Sequence, residues 1–287
     1  MICRLCPRNC GVDRAVERGF CGMGEELKIA RAGLHFWEEP VISGTRGSGA
    51  VFFSGCTLGC VFCQNHEISA EGFGKEVSSE RLREIFEELV AQGAHNINLV
   101  TPTHFLPWIL PALEPKLPVP VVYNCGGYEK AETLRALEGK VQVWLPDLKY
   151  ADDALAARLS RAEDYFETAT AAILEMYRQV GPYVIEDGLM KSGVVIRHLV
   201  LPGQMDNTRK VLDWVAENFA PGQVLLSLMA QYTPQPGAEG AMARHVTGAE
   251  YRAAVAYMEN CGIVDGFTQE RTSAKEEYTP PFDLTGV

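Results

Sequence analysis

No stretch of this chain stays apolar for the ~20 residues that a membrane-spanning helix needs. The longest runs, such as Val224 to Met229, stop far short of that, so a membrane protein is not expected. Positive charge is scarce too: 26 Lys and Arg stand against 37 Asp and Glu, a net charge of −11. A phosphate backbone would find no broad basic surface, and nucleic acid is not an expected partner. Internal repeats and low-complexity tracts are missing. The start, Met1-Ile2-Cys3-Arg4, has no apolar h-region, so no secretion signal is expected and the expected location is the cytoplasm. What remains is ordinary globular usage, 47% apolar and 22% charged residues, enough to bury a full core.

Cysteine is the exception. Of nine, Cys125 and Cys261 stand alone and read as small buried hydrophobes. The other seven fall in two groups, Cys3, Cys6, Cys10 and Cys21, then Cys56, Cys60 and Cys63. A reducing cytoplasm argues against a disulfide framework, whereas thiols at gaps of two and three residues are what metals and iron–sulfur clusters require.

Beyond a Cys-rich N-terminal segment (1–46), residues 47–287 alternate apolar strands with amphipathic helices. Strands are expected at Ala50–Phe53, Asn96–Thr101, Val119–Tyr123, Val141–Leu145, Val194–Leu201 and Val224–Ala230. Helices are expected at Ser78–Gln92 with Ser78 as cap and Gly93 as stop, at Glu129–Leu137, Asp164–Val180 and Asp206–Phe219, and from the capping box Thr247–Glu250 to Gly262. The stretch Tyr278 to Asp283 reads as an irregular tail. Strand and helix alternating about six times imply a parallel sheet with crossover helices. Unusual polar or Gly/Pro residues follow or end nearly every strand: Cys56, Thr101 to His104, Asn124 to Gly127, Asp147 to Lys149, Arg197 and His198, Gln231 and Tyr232. Sites spread over many strand ends favour a barrel over an open doubly wound sheet, which gathers its ligand at one switch point.

The loop Gly55 to Asn65 holds C-x3-C-x2-C directly after the first of these strands. Three thiolates with no fourth partner leave one iron of a [4Fe–4S] cube open, and an open position is what chemistry needs. Zinc would require a fourth ligand, and His66 is the one nearby, in a cramped position. The N-terminal four-Cys group, with Pro7, Gly11 and Gly22 as turn formers, is instead complete in itself and suits a second iron–sulfur cluster or zinc in a structural or electron-relaying role.

With Phe62 in the aromatic slot of C-x3-C-x-Φ-C, the loop resembles the radical S-adenosylmethionine (SAM) superfamily. Cys3 to Val12, Cys63-Gln64-Asn65, Asn98 to His104, Tyr123 to Tyr128, Asp147 to Tyr150, Arg197 to Gly203 and Gln231 to Pro234 extend the resemblance to pyruvate formate-lyase activating enzyme-like proteins of the PflX type. The resemblance implies an α/β fold with a partial (β/α)6 TIM-type barrel and the N-terminal Cys-rich segment ahead of it. It implies a cluster on Cys56, Cys60 and Cys63 that reductively cleaves SAM to a 5′-deoxyadenosyl radical, which then abstracts a hydrogen atom. The target it suggests is a glycyl-radical enzyme, with another protein, a peptide or a small molecule as the alternative, and flavodoxin or ferredoxin as electron donor. A non-catalytic zinc or electron-transfer protein is the reading from a different class, and the open three-Cys loop argues against it.

For SAM contacts the resemblance points to Phe62, Thr101, Asn124, Gly126, Asp147, Lys149 and Arg197. Asp147 and Lys149, two apart on a strand, share a face, while Arg197 and His198 point oppositely and Arg197 is expected inside. One departure stands out. Where the superfamily usually carries Gly-Gly-Glu after the second strand, this chain reads Leu99 to His104, so Thr101 or backbone carbonyls take that place; His104 is a candidate for the substrate mouth, although a lone loop histidine is more often structural or solvated.

Overall fold

The computed structural model describes residues 2–269 and 279–287. In chain order come β1 (Lys28–His35), α1 (Pro40–Ser43), β2 (Ser48–Phe53), α2 (His66–Ser69) and β3 (Lys75–Glu76). Then follow α3 (Ser79–Ala91), β4 (Ile97–Val100), α4 (Leu106–Ala112), β5 (Val121–Cys125), α5 (Ala131–Leu134), β6 (Val143–Pro146), α6 (Asp153–Ser160) and α7 (Tyr165–Val180). The last are β7 (Val184–Glu186), β8 (Leu189–Leu199), α8 (Met205–Asn218), β9 (Leu225–Met229), α9 (Gly248–Asn260) and β10 (Gly266–Thr268).

The sheet runs β10-β9-β8-β6-β5-β4-β2-β1-β3. Along this path from β2 to β10 every neighbouring pair is parallel and the strands follow chain order without reversal, while β7 lies off the path, antiparallel to β8. A doubly wound sheet would reverse its order at a switch point. This winding is that of a TIM-type barrel left open between β10 and the β1–β3 edge, with a short seventh parallel strand, β10, beyond the six expected. β1 pairs antiparallel with β2 and brings part of the N-terminal stretch into the sheet.

Period-two alternation sorts the strand side chains cleanly. Val51, Phe53, Leu99, Tyr123, Trp144, Ile196, Leu226 and Leu228 join the large cluster beneath the helices. Val122, Val143, Leu145, Val195 and Leu225 face the opposite way, into the barrel, where Val41 and Ile42 of α1 meet them. Each fully buried side chain of this kind contributes roughly 1.5–3 kcal/mol. The expected caps form: Ser78 Oγ accepts from Arg81 N at 3.1 Å, and Thr247 and Glu250 close a reciprocal capping box on α9.

The chain end is more ordered than an irregular tail. Leu284 N–H donates to Ala30 O and Ala32 N–H to Thr285 O, and the Phe282 ring packs 5.6 Å from that of Phe52. Tyr278, the first residue of the expected tail, lies outside the described residues.

Candidate active site

The cluster loop starts where β2 ends. Gly55 must be glycine: its φ is +81°, and a Cβ there would lie 2.5 Å from Met23 Cγ and 2.6 Å from Cys21 O. The N-terminal segment therefore packs directly on the loop. Each loop sulfur has its own donor, namely Leu58 N–H for Cys56 at 3.4 Å, Ser160 Oγ for Cys60 at 2.9 Å and Ser69 Oγ for Cys63 at 3.3 Å. Such bonds orient sulfur ligands and tune the metal they hold. Burial pushes the Cys60 thiol up to about 12, with Lys149 pulling the other way and the neighbouring cysteines adding to the rise.

Arg8 clasps this loop from outside. Its guanidinium donates to Thr57 O at 2.8 Å, Leu58 O at 3.2 Å, Ser160 O at 2.9 Å, and Arg161 O. It thereby ties the loop to the end of α6, the same turn whose Ser160 serves Cys60. The Phe20 ring lies 3.8 Å beneath it. A cation at the last carbonyls of a helix is also favoured by the helix dipole.

Beside the thiols opens a cavity of about 190 Å³, walled by Cys60, Phe62, Cys63, Asp147, Lys149 and Arg197 among others. Asp147 and Lys149 pair at 2.5 Å with side chains only 12% and 17% exposed, which excludes a solvated surface pair. Arg197 Nε donates to the other Asp147 oxygen at 2.8 Å and Arg197 Nη2 to Asn124 Oδ1 at 2.6 Å. Burial works against the Asp147 charge, but Arg197 and Lys149 outweigh it and hold the carboxyl below its usual range. Both cations are raised in turn, since Asp147 outweighs their burial.

Asn124 reaches the cavity through Arg197. A Cβ on Gly126 would lie 2.6 Å from Leu58 Cδ1 and 3.7 Å from Lys149 Cε, so its glycine leaves room for both side chains. Thr101 is not in the wall of this cavity. It sits at the end of β4 with φ of +60°, a costly left-handed conformation for a β-branched residue, and its N–H donates to Asn124 O at 2.8 Å.

His198 points away from the cavity, with Nε2 3.0 Å from Thr208 Oγ1 and Nδ1 2.7 Å from Leu148 O. Of the two readings for His104, the structural one holds. It is buried behind the loop, its Nε2 2.7 Å from Ser54 O, because residues 103–105 turn inward as a short 3-10 helix and all three are buried. His66 is turned to Glu71 at 3.3 Å.

Sequence reading missed four polar residues that hold this site. Arg8 is one. Tyr165 Oη accepts from Lys149 N–H at 2.9 Å and lies 2.9 Å from both Gly126 O and Asp147 O. Asn207 grips the same strand end through Ala151 N–H and Lys149 O. Glu38, between β1 and α1, bonds Asn98, Asn124 and Arg197. Nothing local marks any of them.

In the N-terminal segment Cys3, Cys6 and Cys21 are buried and Cys10 partly so. A methyl on Gly19 would lie 3.5 Å from Cys21 Sγ and 3.6 Å from Cys10 Sγ, and Phe20 N–H donates to Cys10 Sγ at 3.2 Å. Burial pushes Cys6 up to about 12 and raises Cys21. Among the described residues no three His, Cys, Asp or Glu side chains are grouped to hold a single metal ion.

The donor set of the cluster loop suits a cube with one iron left open: three cysteines on one turn, each with a hydrogen-bond donor, beside a cavity carrying both signs of charge. Residues 50–215 match the family described as the radical SAM superfamily. A protein of Methanocaldococcus jannaschii described as uncharacterized is 32% identical over 243 residues, covering 81% of this chain and 66% of that protein. Crystal structures of Streptococcus suis SuiB share the fold. Bound to S-adenosylmethionine it superposes with TM-score 0.52 and 13% identity over 75% of this chain and 48% of SuiB. Bound to precursor peptide SuiA it gives 0.54 and 14% over 75% and 46%. This chain thus spans under half the length of SuiB and about two-thirds of the archaeal relative.

Proposed function

The chain belongs to the radical SAM superfamily, and from that premise we propose that Cys56, Cys60 and Cys63 hold the [4Fe–4S] cluster while the adjoining cavity holds SAM. The observation that carries this reading is the cavity wall. A Lys and an Arg interleaved with an Asp, all but closed to water, complement the carboxylate and ammonium groups of an amino acid. Lys149 and Arg197 would take the carboxylate, Asp147 the ammonium group, and Phe62 with Tyr232, ring centroids 5.9 Å apart, the apolar remainder. When bound, the cluster supplies the electron that breaks the S–C5′ bond of SAM, and the abstraction of a hydrogen atom follows. The protein's own part is to hold SAM, shield it and admit the substrate.

A groove of about 630 Å³ shares Phe62 and Tyr232 with this cavity and runs past Val61, Leu159 and Met242. It supports a substrate offered from outside the barrel, as a protein or peptide segment is. Activation of a glycyl-radical enzyme is the specific form of this reading, carried by the sequence resemblance, with flavodoxin or ferredoxin as electron donor. The experiment is anaerobic incubation of the reduced, reconstituted protein with SAM and candidate partners. Methionine and 5′-deoxyadenosine form with SAM alone, and the true partner adds a substrate-based radical by electron paramagnetic resonance. No 5′-deoxyadenosine under strong reductant would refute the activity. A glycyl-radical enzyme that stays radical-free while another partner reacts would refute that target.

We further propose that Cys3, Cys6, Cys10 and Cys21 form a second metal centre. Arg14 supports it. Arg14 is 2% exposed; Nη1 donates to His104 O and the guanidinium lies over Trp108, but Nε and Nη2 have no hydrogen-bond partner, and its charge draws the Cys21 pKa down against burial. A buried cation needs an anion, and four thiolates around zinc or an iron–sulfur cube carry a net charge of about −2. Metal analysis of the triple variant Cys56→Ala/Cys60→Ala/Cys63→Ala, purified without oxygen, is the test. About four irons with sulfide mean a second cube, one zinc a structural knuckle. A folded variant free of both metals would end this proposal.

A further inference from the structure

Residues 36–47 link the end of β1 to the start of β2, so they lie at the N-terminal end of the parallel strands, opposite the cluster loop. From that end Glu38 reaches up into the barrel, its side chain 11% exposed. Oε1 accepts from Asn98 Nδ2 at 3.2 Å and from Asn124 Nδ2 at 3.1 Å, and Oε2 accepts from Arg197 Nη1 at 3.3 Å. Three donors from β4, β5 and β8 thus converge on one carboxylate.

Only a group that accepts everywhere and donates nowhere satisfies such a set. The carboxylate also settles the Asn124 amide. With Nδ2 on Glu38, Oδ1 is left for Arg197 Nη2; the reverse orientation would set oxygen against carboxylate and NH2 against guanidinium. Arg197 is then held on three sides, by Glu38 through Nη1, Asn124 through Nη2 and Asp147 through Nε. From floor to thiols the charges alternate: Glu38, Arg197, Asp147, Lys149.

We infer that Glu38 is a positioning residue for SAM binding, one that touches no ligand but fixes Arg197 and Asn124 in the orientation the SAM cavity needs. The inference rests on the SAM site proposed above. Glu38→Gln is the sharp variant, since it keeps the size but turns an NH2 toward neighbours that are themselves donors. Glu38→Asp keeps the charge but draws it back by one methylene.

The full chain, reconstituted anaerobically, is assayed for iron and for SAM affinity by equilibrium dialysis. The KM for SAM and the turnover number are followed through release of the deoxyadenosine product. Glu38→Gln should bind SAM roughly ten- to a hundredfold more weakly, with KM raised, turnover at saturating SAM little changed and iron content full. Glu38→Asp should fall between it and the parent. A merely structural role would lower the melting temperature without splitting KM from turnover. Wild-type SAM affinity in Glu38→Gln overturns the inference; where that variant loses iron, wild-type affinity in an iron-replete Glu38→Asp does so. Lys149→Ala is run alongside. If it too binds SAM normally, the SAM site itself is misplaced and this role falls with it. If it binds weakly while both Glu38 variants bind normally, Glu38 alone is wrong.

Discussion

Replacing any one of Cys56, Cys60 or Cys63 by alanine should abolish 5′-deoxyadenosine formation, while Cys261→Ala, made as a control, should keep it. The contrast follows from the surroundings of each sulfur. The three loop cysteines carry separate donors, Leu58 N–H, Ser160 Oγ and Ser69 Oγ, and in the proposed site each would give one ligand to a cube that lacks a fourth. Losing one leaves two protein ligands, too few to keep the cluster or its open iron in register with Lys149. Cys261 lies far along the chain beside Asp213 at 3.8 Å and has no part in the loop. Product formation by liquid chromatography and iron per chain are measured together. A loop variant with full turnover would remove that cysteine from the ligand set.

A second large effect is expected at Arg197, this time on stability. Arg197→Leu leaves Glu38 with no cation, only its two Asn donors, and Asp147 with Lys149 alone, and it uncovers Glu39, whose charge Arg197 also offsets. Removing one partner of a buried ion pair costs about 3–5 kcal/mol, read as a lower midpoint in denaturant. The loss should depend on pH. In the parent, Arg197 and Lys149 hold Asp147 below its usual range against its burial, so its share of the stability is present above the unfolded carboxylate pKa and is lost as pH falls through the folded value. Burial raises Glu38 and Glu39 despite Arg197. An acid raised in the folded state binds extra protons there, so its effect on stability worsens as pH rises through the window between unfolded and folded values. Without Arg197 all three carboxyls move up. The deficit of Arg197→Leu should therefore be smallest in acid, below the ordinary carboxylate range of about 4, and grow toward neutral pH. A deficit independent of pH would mean that lost packing, not stranded charge, is responsible.

Much of the barrel could be read from the chain because it rests on local pattern. Leu82, Ile85, Phe86 and Leu89 repeat at helical spacing and are the buried face of α3. Alternation turns Arg197 inward and His198 outward on β8. Where pattern was weak, reading failed. Lys28–His35 carries Lys, Arg and His among small residues, and its strand character comes from pairing with β2 and β3. For His104, which follows a strand as a mouth residue would, only the 3-10 turn that carries it under the loop decides for the structural reading.

The site divides the same way. Its cysteines, Asp147, Lys149 and Arg197 announce themselves by spacing or by place at strand ends. Their supports do not. Glu38 meets Arg197 across 159 positions and Arg8 meets Ser160 across 152, and no local preference encodes a partner so distant.

The Arg8 clasp also sets a timetable. Its acceptors at the end of α6 are made 152 and 153 residues after it, and at roughly 5–20 residues per second of synthesis about eight to thirty seconds separate the two. Through that interval Cys3 to Cys21, and soon Cys56 to Cys63, hang from the ribosome as open thiols with Ser160 not yet present to meet Cys60. A cluster assembled on the loop before α6 is made would lack both the Ser160 hydrogen bond to Cys60 and the Arg8 clasp that shelters the loop.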